Sequence, residues 1–248
     1  IGGMGDLEEF TGTIPYGDFR QQYRVSYSHA EWVKGIKIER KLVDDDLYNV
    51  INARPRQLAV IARRTREKHG ASLFNNAFNT SVFAGGDALS LCNTAHTYVG
   101  TSTTVGNSGT TALSATALEA TRLLGMALTD ETDNLMDVVY DTLLVPPNLE
   151  ETAWQIIKTD KQVDSANNNA NFQMGRYKLL VWNRLTDTNN WFLMDSRYMK
   201  LFLKWFDRIP TEFNKDKDFD TYVAKWSVYT RYSYGFSDWR WIYGHNVS

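Results

Sequence analysis

The chain has 248 residues, a formal net charge of −2 and a single cysteine, and 43% of its residues are hydrophobic. A folded chain of this length buries roughly three quarters of its extended surface, so one large domain or two intertwined domains are stable without a structural metal. Cys92 has no second cysteine to pair with, which excludes an internal disulfide framework. The longest apolar runs, at residues 179–182 and 191–194, are far shorter than the ~20 residues that span a bilayer, so the sequence predicts no membrane partner.

Charge and aromatic content narrow the possible classes further. A nearly neutral chain lacks the positive field that general coating of nucleic acid needs. Aromatic residues make up 13% of the chain, with eight Trp and thirteen Tyr. Because interfaces are enriched in aromatic side chains, this surplus indicates a protein that assembles.

The first 46 residues predict an arm followed by a ribbon. Residues 1–15 contain four glycines and little periodicity, and the absence of an initiator Met is interpreted as trimming or disorder of this arm. Apolar and polar residues alternate over residues 23–28 and again over residues 36–41, which predicts two strands joined by residues 29–35. Trp32 would lie at the tip of the ribbon. A two-stranded ribbon is marginal alone, so it is expected to pack on its own domain or on a neighbouring subunit.

A long helix with a basic face is predicted next. The three aspartates at residues 44–46 are interpreted as acidic residues near a helix N-terminus rather than as a cation site. The helix is predicted from residue 56 to about residue 78, because its apolar residues recur at spacings of three and four. Its outer face carries a basic cluster made of Arg56, Arg63, Arg64, Arg66 and Lys68.

The middle of the chain predicts short strands, helices and loops. A helix over residues 115–128 has the capping-box spacing of Thr116 and Glu119, and a helix after the two prolines at 146–147 would be capped by Asn148. Loops are predicted over residues 101–111 and 164–171 from their Ser, Thr, Gly and Asn content. A short strand and loop are predicted over residues 88–97, and strands over residues 137–145, 177–185, 191–194 and 199–208.

The clearest local pattern lies near the C-terminus. Alternation continues without a break from Tyr222 to Tyr234. At ~3.3 Å per residue this strand would be roughly 43 Å long, whereas an average strand has about six residues. The sequence therefore predicts an elongated sheet.

Catalytic constellations are scarce. The sequence has no Gly-x-Ser-x-Gly elbow, glycine-rich phosphate loop or His-Glu-x-x-His motif, and its histidines are far apart. Cys92 and His96 have the spacing of a possible Cys/His dyad, but no oxyanion-hole motif accompanies them. Only the abundance of Trp favours a carbohydrate-active enzyme. We therefore predict no catalytic residue, no cofactor and no metal site.

Several segments, taken in order, resemble one family. They are DALSLCNTAHTY at residues 87–98, the strand, Pro-Pro and helix segment at residues 143–158, and GFSDWR at residues 235–240. This order resembles the major capsid proteins of tailed bacteriophages with the Hong Kong 97 fold, and most closely the Mu-type major head subunit family. The resemblance covers nearly the whole chain and rests on the ordered set.

The resemblance implies an α+β fold in four parts. These are an N-terminal arm at residues 1–15, an extended two-stranded loop at 16–46, a peripheral domain with a long spine helix and a long strand at 47–110 and 199–235, and an axial domain at 111–198 and 236–248. The extended loop would reach over a neighbouring subunit. Some such capsids join subunits by a Lys–Asn bond, but no acceptor matches here, so cross-linking is not carried over.

The resemblance also implies a structural function and no enzymatic one. The chain would assemble through hexamers and pentamers into an icosahedral shell around double-stranded DNA, held without sequence specificity, with cement, portal and scaffolding proteins as further partners. Its location would be the virion capsid, after assembly in the host bacterial cytoplasm. Intersubunit contacts are expected at Tyr27, Trp32, Lys34, Arg63 and Arg64, with Trp32 as an exposed anchor. The alternatives are a Cys/His-dependent or carbohydrate-active enzyme, or a nucleic-acid-binding module that uses the basic helix face.

Overall fold

The computed structural model describes residues 7, 9–10, 12–14, 16, 21–45, 54–100, 103–161 and 169–247. The chain is α+β and divides into two compact units. The smaller unit contains Ser26–Ser72 and Lys204–Gly235, and the larger unit contains Ile1–Val25, Leu73–Leu203 and Phe236–Ser248. Residues 73–110, expected in the peripheral domain, thus group with the larger unit. Most of the predicted arm lies outside the described residues.

The smaller unit is a three-stranded sheet with one long helix. Its elements are β1 (Ala30–Glu39), α1 (Arg40–Asp44), most of α2 (Arg54–Asn75), and nearly all of β8 (Leu203–Lys217) and β9 (Val223–Phe236). The strand order is β1-β9-β8. The 14 residues of β9 confirm the long C-terminal strand that the alternation predicts.

The predicted two-stranded ribbon is wrong. Residues 21–29 form no strand, and β1 is one continuous strand that pairs antiparallel with β9 from Ala30↔Tyr232 to Glu39↔Val223. The even-numbered residues of β1 stay on one face for its whole length, so no turn is needed at residues 29–35. Gly35 fits this pairing because a Cβ there would lie 3.3 Å from the carbonyl oxygen of Trp226. Trp32 therefore lies within a strand and not at a tip.

The larger unit is built around a mixed five-stranded sheet, with a separate two-stranded pair. Its strands are β2 (His96–Thr97), β3 (Thr104–Val105), β4 (Ser108–Gly109), β5 (Thr142–Val145), β6 (Lys178–Val181), β7 (Trp191–Met194) and β10 (Ile242–His245). The order in the five-stranded sheet is β4-β10-β7-β5-β6. In it, β5 pairs parallel with β6 and antiparallel with β7, and β10 pairs antiparallel with β7 and parallel with β4. The separate pair joins β2 to β3.

In the described part of the larger unit there are three helices, together with the last residues of α2. They are α3 (Ala115–Met126), α4 (Glu150–Lys158), which follows a 3₁₀ turn at Pro147–Leu149, and α5 (Ser196–Phe202). Their apolar faces cover a core in which Trp191, Trp241 and Phe192 are fully buried. In the described part of the chain, no helix is both long enough and apolar enough to cross a bilayer.

Helix capping in the larger unit differs from the prediction. Ser114, rather than Thr116, caps α3 by accepting the backbone N–H of Ala117, and Glu119 instead pairs with Arg122. Asn148 lies within the 3₁₀ turn and does not cap α4.

Several predicted strand bounds also change. Of the predicted strand 137–145 only Thr142–Val145 is a strand, and of 177–185 only Lys178–Val181. The predicted strand 199–208 begins as the end of helix α5, because the Asp195 side chain accepts two backbone N–H groups and caps that helix. The predicted loop 164–171 lies mainly outside the described residues.

Candidate interaction surfaces

The Cys92 and His96 pair does not form a catalytic dyad. Both side chains are buried, and burial raises the pKa of the Cys92 thiol, which disfavours the nucleophilic thiolate. His96 instead stacks on Trp239, with ring centroids 4.2 Å apart, and its Nδ1 lies 2.5 Å from a carboxylate oxygen of Asp87. Because Trp239 and Asp87 hold its ring, His96 fixes the chain near β2. This geometry fits a structural role for Cys92 and His96 rather than the roles of a nucleophile and its base.

The charged groups beside that pair are already satisfied by one another. A cavity of about 290 Å³ in the larger unit is lined by Tyr98, Glu131, Asp238 and Arg240, among others. The guanidinium of Arg240 bonds Asp238 through several N–H groups and lies 3.2 Å from Glu131. Among the described residues, no group of three or more His, Cys, Asp or Glu could hold a metal ion. The carboxylates of Asp87, Glu131 and Asp238 that line the cavity are thus each paired with His96 or Arg240.

Tyr27 and Trp32, two of the predicted intersubunit contacts, pack inside the smaller unit. The Tyr27 ring lies 5.2 Å from that of Phe206, centroid to centroid, and burial raises its pKa. The Trp32 ring lies 4.2 Å from His69 and stacks 6.1 Å from Tyr232. The prediction of Trp32 as an exposed anchor is wrong, because β1 places its side chain on the face of the sheet that packs against α2.

Lys34, Arg63 and Arg64 are exposed, as a subunit contact requires. Lys34 lies on β1 opposite Val228, and the two arginines lie on the outer face of α2. Arg66, which the helical pattern grouped with them, does not share that face. Its guanidinium donates to both carboxylate oxygens of Asp207, at 2.8 and 2.9 Å. The basic face of α2 is therefore smaller than predicted.

Part of the aromatic surplus is used within the smaller unit. Arg66 lies 4.9 Å above the Trp205 ring and 5.3 Å above the Tyr232 ring. His69 Nδ1 lies 2.6 Å from the Tyr232 hydroxyl. Burial lowers the pKa of His69 and raises that of Tyr232 to about 12, so both side chains are neutral at pH 7. This block stabilises the contact between α2 and the sheet, and it is not an exposed interface.

The larger unit instead exposes apolar side chains that the sequence pattern did not single out. Leu135 is 65% exposed, Phe172 58% and Val139 55%. Large apolar side chains exposed together on a folded chain mark surfaces that other molecules cover. The sequence did not indicate this exposure, because Leu135 and Phe172 lie in segments without a helical or strand period and Val139 lies in a segment predicted as a strand.

Fold and surfaces together define the class of protein. The described residues expose several large apolar side chains, which is typical of proteins that bind other protein chains. Comparison with known sequences identifies the family. The model of the family described as phage capsid protein matches residues 22–244, and the chain belongs to this family. No curated protein sequence matches the chain significantly.

Solved capsid structures share the fold at low sequence identity. The Mycobacterium phage Patience structure matches with a TM-score of 0.62 and 10% identity, over 99% of this chain and 77% of that one. The capsid of bacteriophage JBD30, decorated with minor capsid protein trimers, matches with a TM-score of 0.58 and 13% identity, over 75% and 83%. The capsid of the native GTA particle matches with a TM-score of 0.57 and 15% identity, over 99% and 81%. At these identities the similarity establishes the fold, which is that of phage capsid proteins.

Proposed function

We propose that this chain is the major head subunit of a tailed bacteriophage, with the Hong Kong 97 fold and of the Mu type. The observation that carries the proposal is the capsid family match, which extends over residues 22–244 and so over nearly the whole chain. In this proposal residues 1–15 are the arm, 16–46 the extended loop, 47–110 and 199–235 the peripheral domain, and 111–198 and 236–248 the axial domain. The long β9 strand and the 22-residue helix α2 support the peripheral assignment for residues 54–72 and 223–235, whereas residues 73–110 group with the larger unit.

The subunit assembles through pentamers and hexamers into an icosahedral shell that encloses double-stranded DNA. In this proposal its role is structural, with neither a cofactor nor a catalytic residue. Shells form in the host bacterial cytoplasm and end as the virion capsid. Portal, scaffolding and cement proteins are its partners, and the minor capsid trimers on the JBD30 capsid are an example of decoration on a similar shell.

Subunit contacts in the smaller unit are made by Lys34, Arg63 and Arg64. Their exposure supports this role, and long cationic side chains can reach carboxylates on a neighbour. Tyr27 and Trp32 contribute indirectly, because they hold β1 and the preceding segment against their own unit.

Sedimentation and electron microscopy of the purified chain test the proposal. We expect pentamers, hexamers or closed shells whose proportion rises with protein concentration. A compact monomer that persists at high concentration, in several salt and pH conditions, would contradict it.

A further inference from the structure

One exposed segment of the larger unit, which we call the acidic strip, consists of Asp133, Leu135, Asp137 and Val139. All four side chains are exposed, whereas the intervening Val138 is buried. Two exposed carboxylates therefore alternate in sequence with two exposed apolar side chains along this segment. Among the described residues, neither carboxylate forms an ion pair.

The strip is held firmly from behind. The Met136 carbonyl accepts the Tyr198 hydroxyl at 2.8 Å, and the Val139 N–H donates to the Asp195 carboxylate at 2.9 Å. Asp133 and Asp137 adopt positive φ values of 62° and 51°, which aspartate tolerates better than most residues. A surface ordered before binding loses little conformational entropy when a partner arrives. The strip therefore has the rigidity of a binding surface.

A second exposed surface of the same unit, which we call the basic patch, has the opposite charge. Its exposed members are Met126, Phe172, Met174 and Arg176, and Arg122, whose side chain is only 17% exposed, lies at its edge. Phe172 is 58% exposed, Met174 51% and Met126 48%. Phenylalanine, methionine and arginine are residue types that interface cores enrich.

The basic patch is also preorganised. The Arg176 guanidinium lies 4.1 Å from the Phe172 ring centroid, and that of Arg122 lies 5.9 Å from it. Arg122 donates to both carboxylate oxygens of Glu119, and this pairing lowers the pKa of Glu119 to about 2. Because Arg122 is neutralised in this way and Arg176 forms no ion pair among the described residues, Arg176 is the cation that the patch offers to a partner.

We propose that the acidic strip of one copy docks on the basic patch of a second copy, with Asp137 or Asp133 facing Arg176 and Leu135 packing on Phe172. The charges are complementary, and both surfaces are apolar, rigid and exposed in the single chain. A contact between two different surfaces of identical subunits is heterologous, so it repeats from copy to copy and forms a ring when the rotation between copies closes. The inference rests on the proposed function, because it states how subunits of the shell join.

Charge exchange tests the pairing in the full chain. Arg176→Asp, and separately Asp133→Arg/Asp137→Arg, should each raise the protein concentration at half-assembly by at least about tenfold, the loss typical of one interface hot spot. The variant with all three substitutions should recover most of the assembly. Arg176→Gln and Asp133→Asn/Asp137→Asn are milder versions for use if an exchanged variant folds poorly. Arg208→Asp, an equal charge change at an exposed site of the smaller unit, should assemble like the unmodified chain.

The outcomes separate this inference from the proposed function. Recovery in the combined variant supports the docking, and so does a comparable loss in Leu135→Ala and Phe172→Ala with unchanged thermal unfolding of the subunit. Assembly of the unmodified chain together with normal assembly of both charge variants, or loss without recovery, overturns the docking and leaves the proposed function standing. Failure of the unmodified chain to assemble overturns the proposed function itself.

Discussion

Asn107 is the residue whose replacement should most clearly weaken the larger unit. It is fully buried, and its amide nitrogen donates to the carbonyls of Leu91 at 2.9 Å, Ile242 at 3.0 Å and Trp239 at 3.3 Å. Its amide oxygen accepts the backbone N–H of Asn93 at 2.8 Å. One side chain thus joins the segment before β4 to the segment after α2 and to β10.

The substitution Asn107→Asp keeps the shape and the bond from Asn93 but replaces the donor with an acceptor. It removes two well-formed hydrogen bonds, each with a net value of about 1 kcal/mol. The buried carbonyl oxygens that accepted them then face another oxygen, which costs a further ~1–3 kcal/mol of stability. We therefore expect the free energy of unfolding to fall by about 3–5 kcal/mol. For a chain of this size that corresponds to a decrease in Tm of roughly 6–20 °C.

Thermal unfolding of dissociated subunits measures the effect. Asn93→Asp is the matched control, because the same chemical change there removes only the bond from its amide to the Ser90 hydroxyl, at 3.2 Å. That variant should lose about 1 kcal/mol. A Tm change below about 3 °C for Asn107→Asp, or equal changes in the two variants, would refute the reasoning.

Three further predictions concern the effect of charged and titratable side chains on stability and on DNA binding. His245 is buried against Trp191, and burial lowers its pKa to about 4. Because the unfolded chain binds this proton more readily than the folded chain, the free energy of unfolding should fall as pH drops from about 6.5 to 4. His245→Gln should flatten that part of the pH profile, measured by denaturation. Replacing Arg66 by Lys should cost about 1–2 kcal/mol of stability in urea unfolding, because lysine cannot reproduce the bidentate bond to Asp207, whereas Lys68→Arg on the exposed face should change little. If the basic face of α2 binds packaged DNA, replacing Arg56, Arg63 and Arg64 by Gln should reduce the slope of log DNA affinity against log salt concentration by up to about 3. An unchanged slope in a DNA titration would exclude those contacts.

Sequence reasoning succeeded where the pattern is local. Strand β9 alternates strictly over its length, and the stripe of α2 recurs at three and four residues, so both elements could be predicted without their partners. Strand β8 was predicted only in part, because Pro210 and several charged residues hide its alternation. Such residues are typical of an edge strand, and β8 lies at the edge of its sheet beside β9.

The errors arose where distant residues decide the structure. Nothing near Trp32 in the sequence shows that β1 pairs with β9 along its whole length. Without that pairing, residues 29–35 look like a turn and Trp32 looks exposed. Arg66 was assigned to the outer basic face by its neighbours, yet Asp207, far along the chain, draws it onto the sheet. The exposed apolar residues of the larger unit could not be found because exposure depends on the packed fold.

The near-zero net charge does not describe a uniformly neutral surface. Within the larger unit, the acidic strip carries two carboxylates and the basic patch carries the Arg176 guanidinium, none of which forms an ion pair among the described residues, and each lies beside exposed apolar side chains. A subunit with one uniform sign of charge would repel its copies, whereas separated and opposite charges attract copies in one relative orientation. Because salt weakens such attraction while apolar contacts persist, at high ionic strength assembly should slow and the protein concentration at half-assembly should rise.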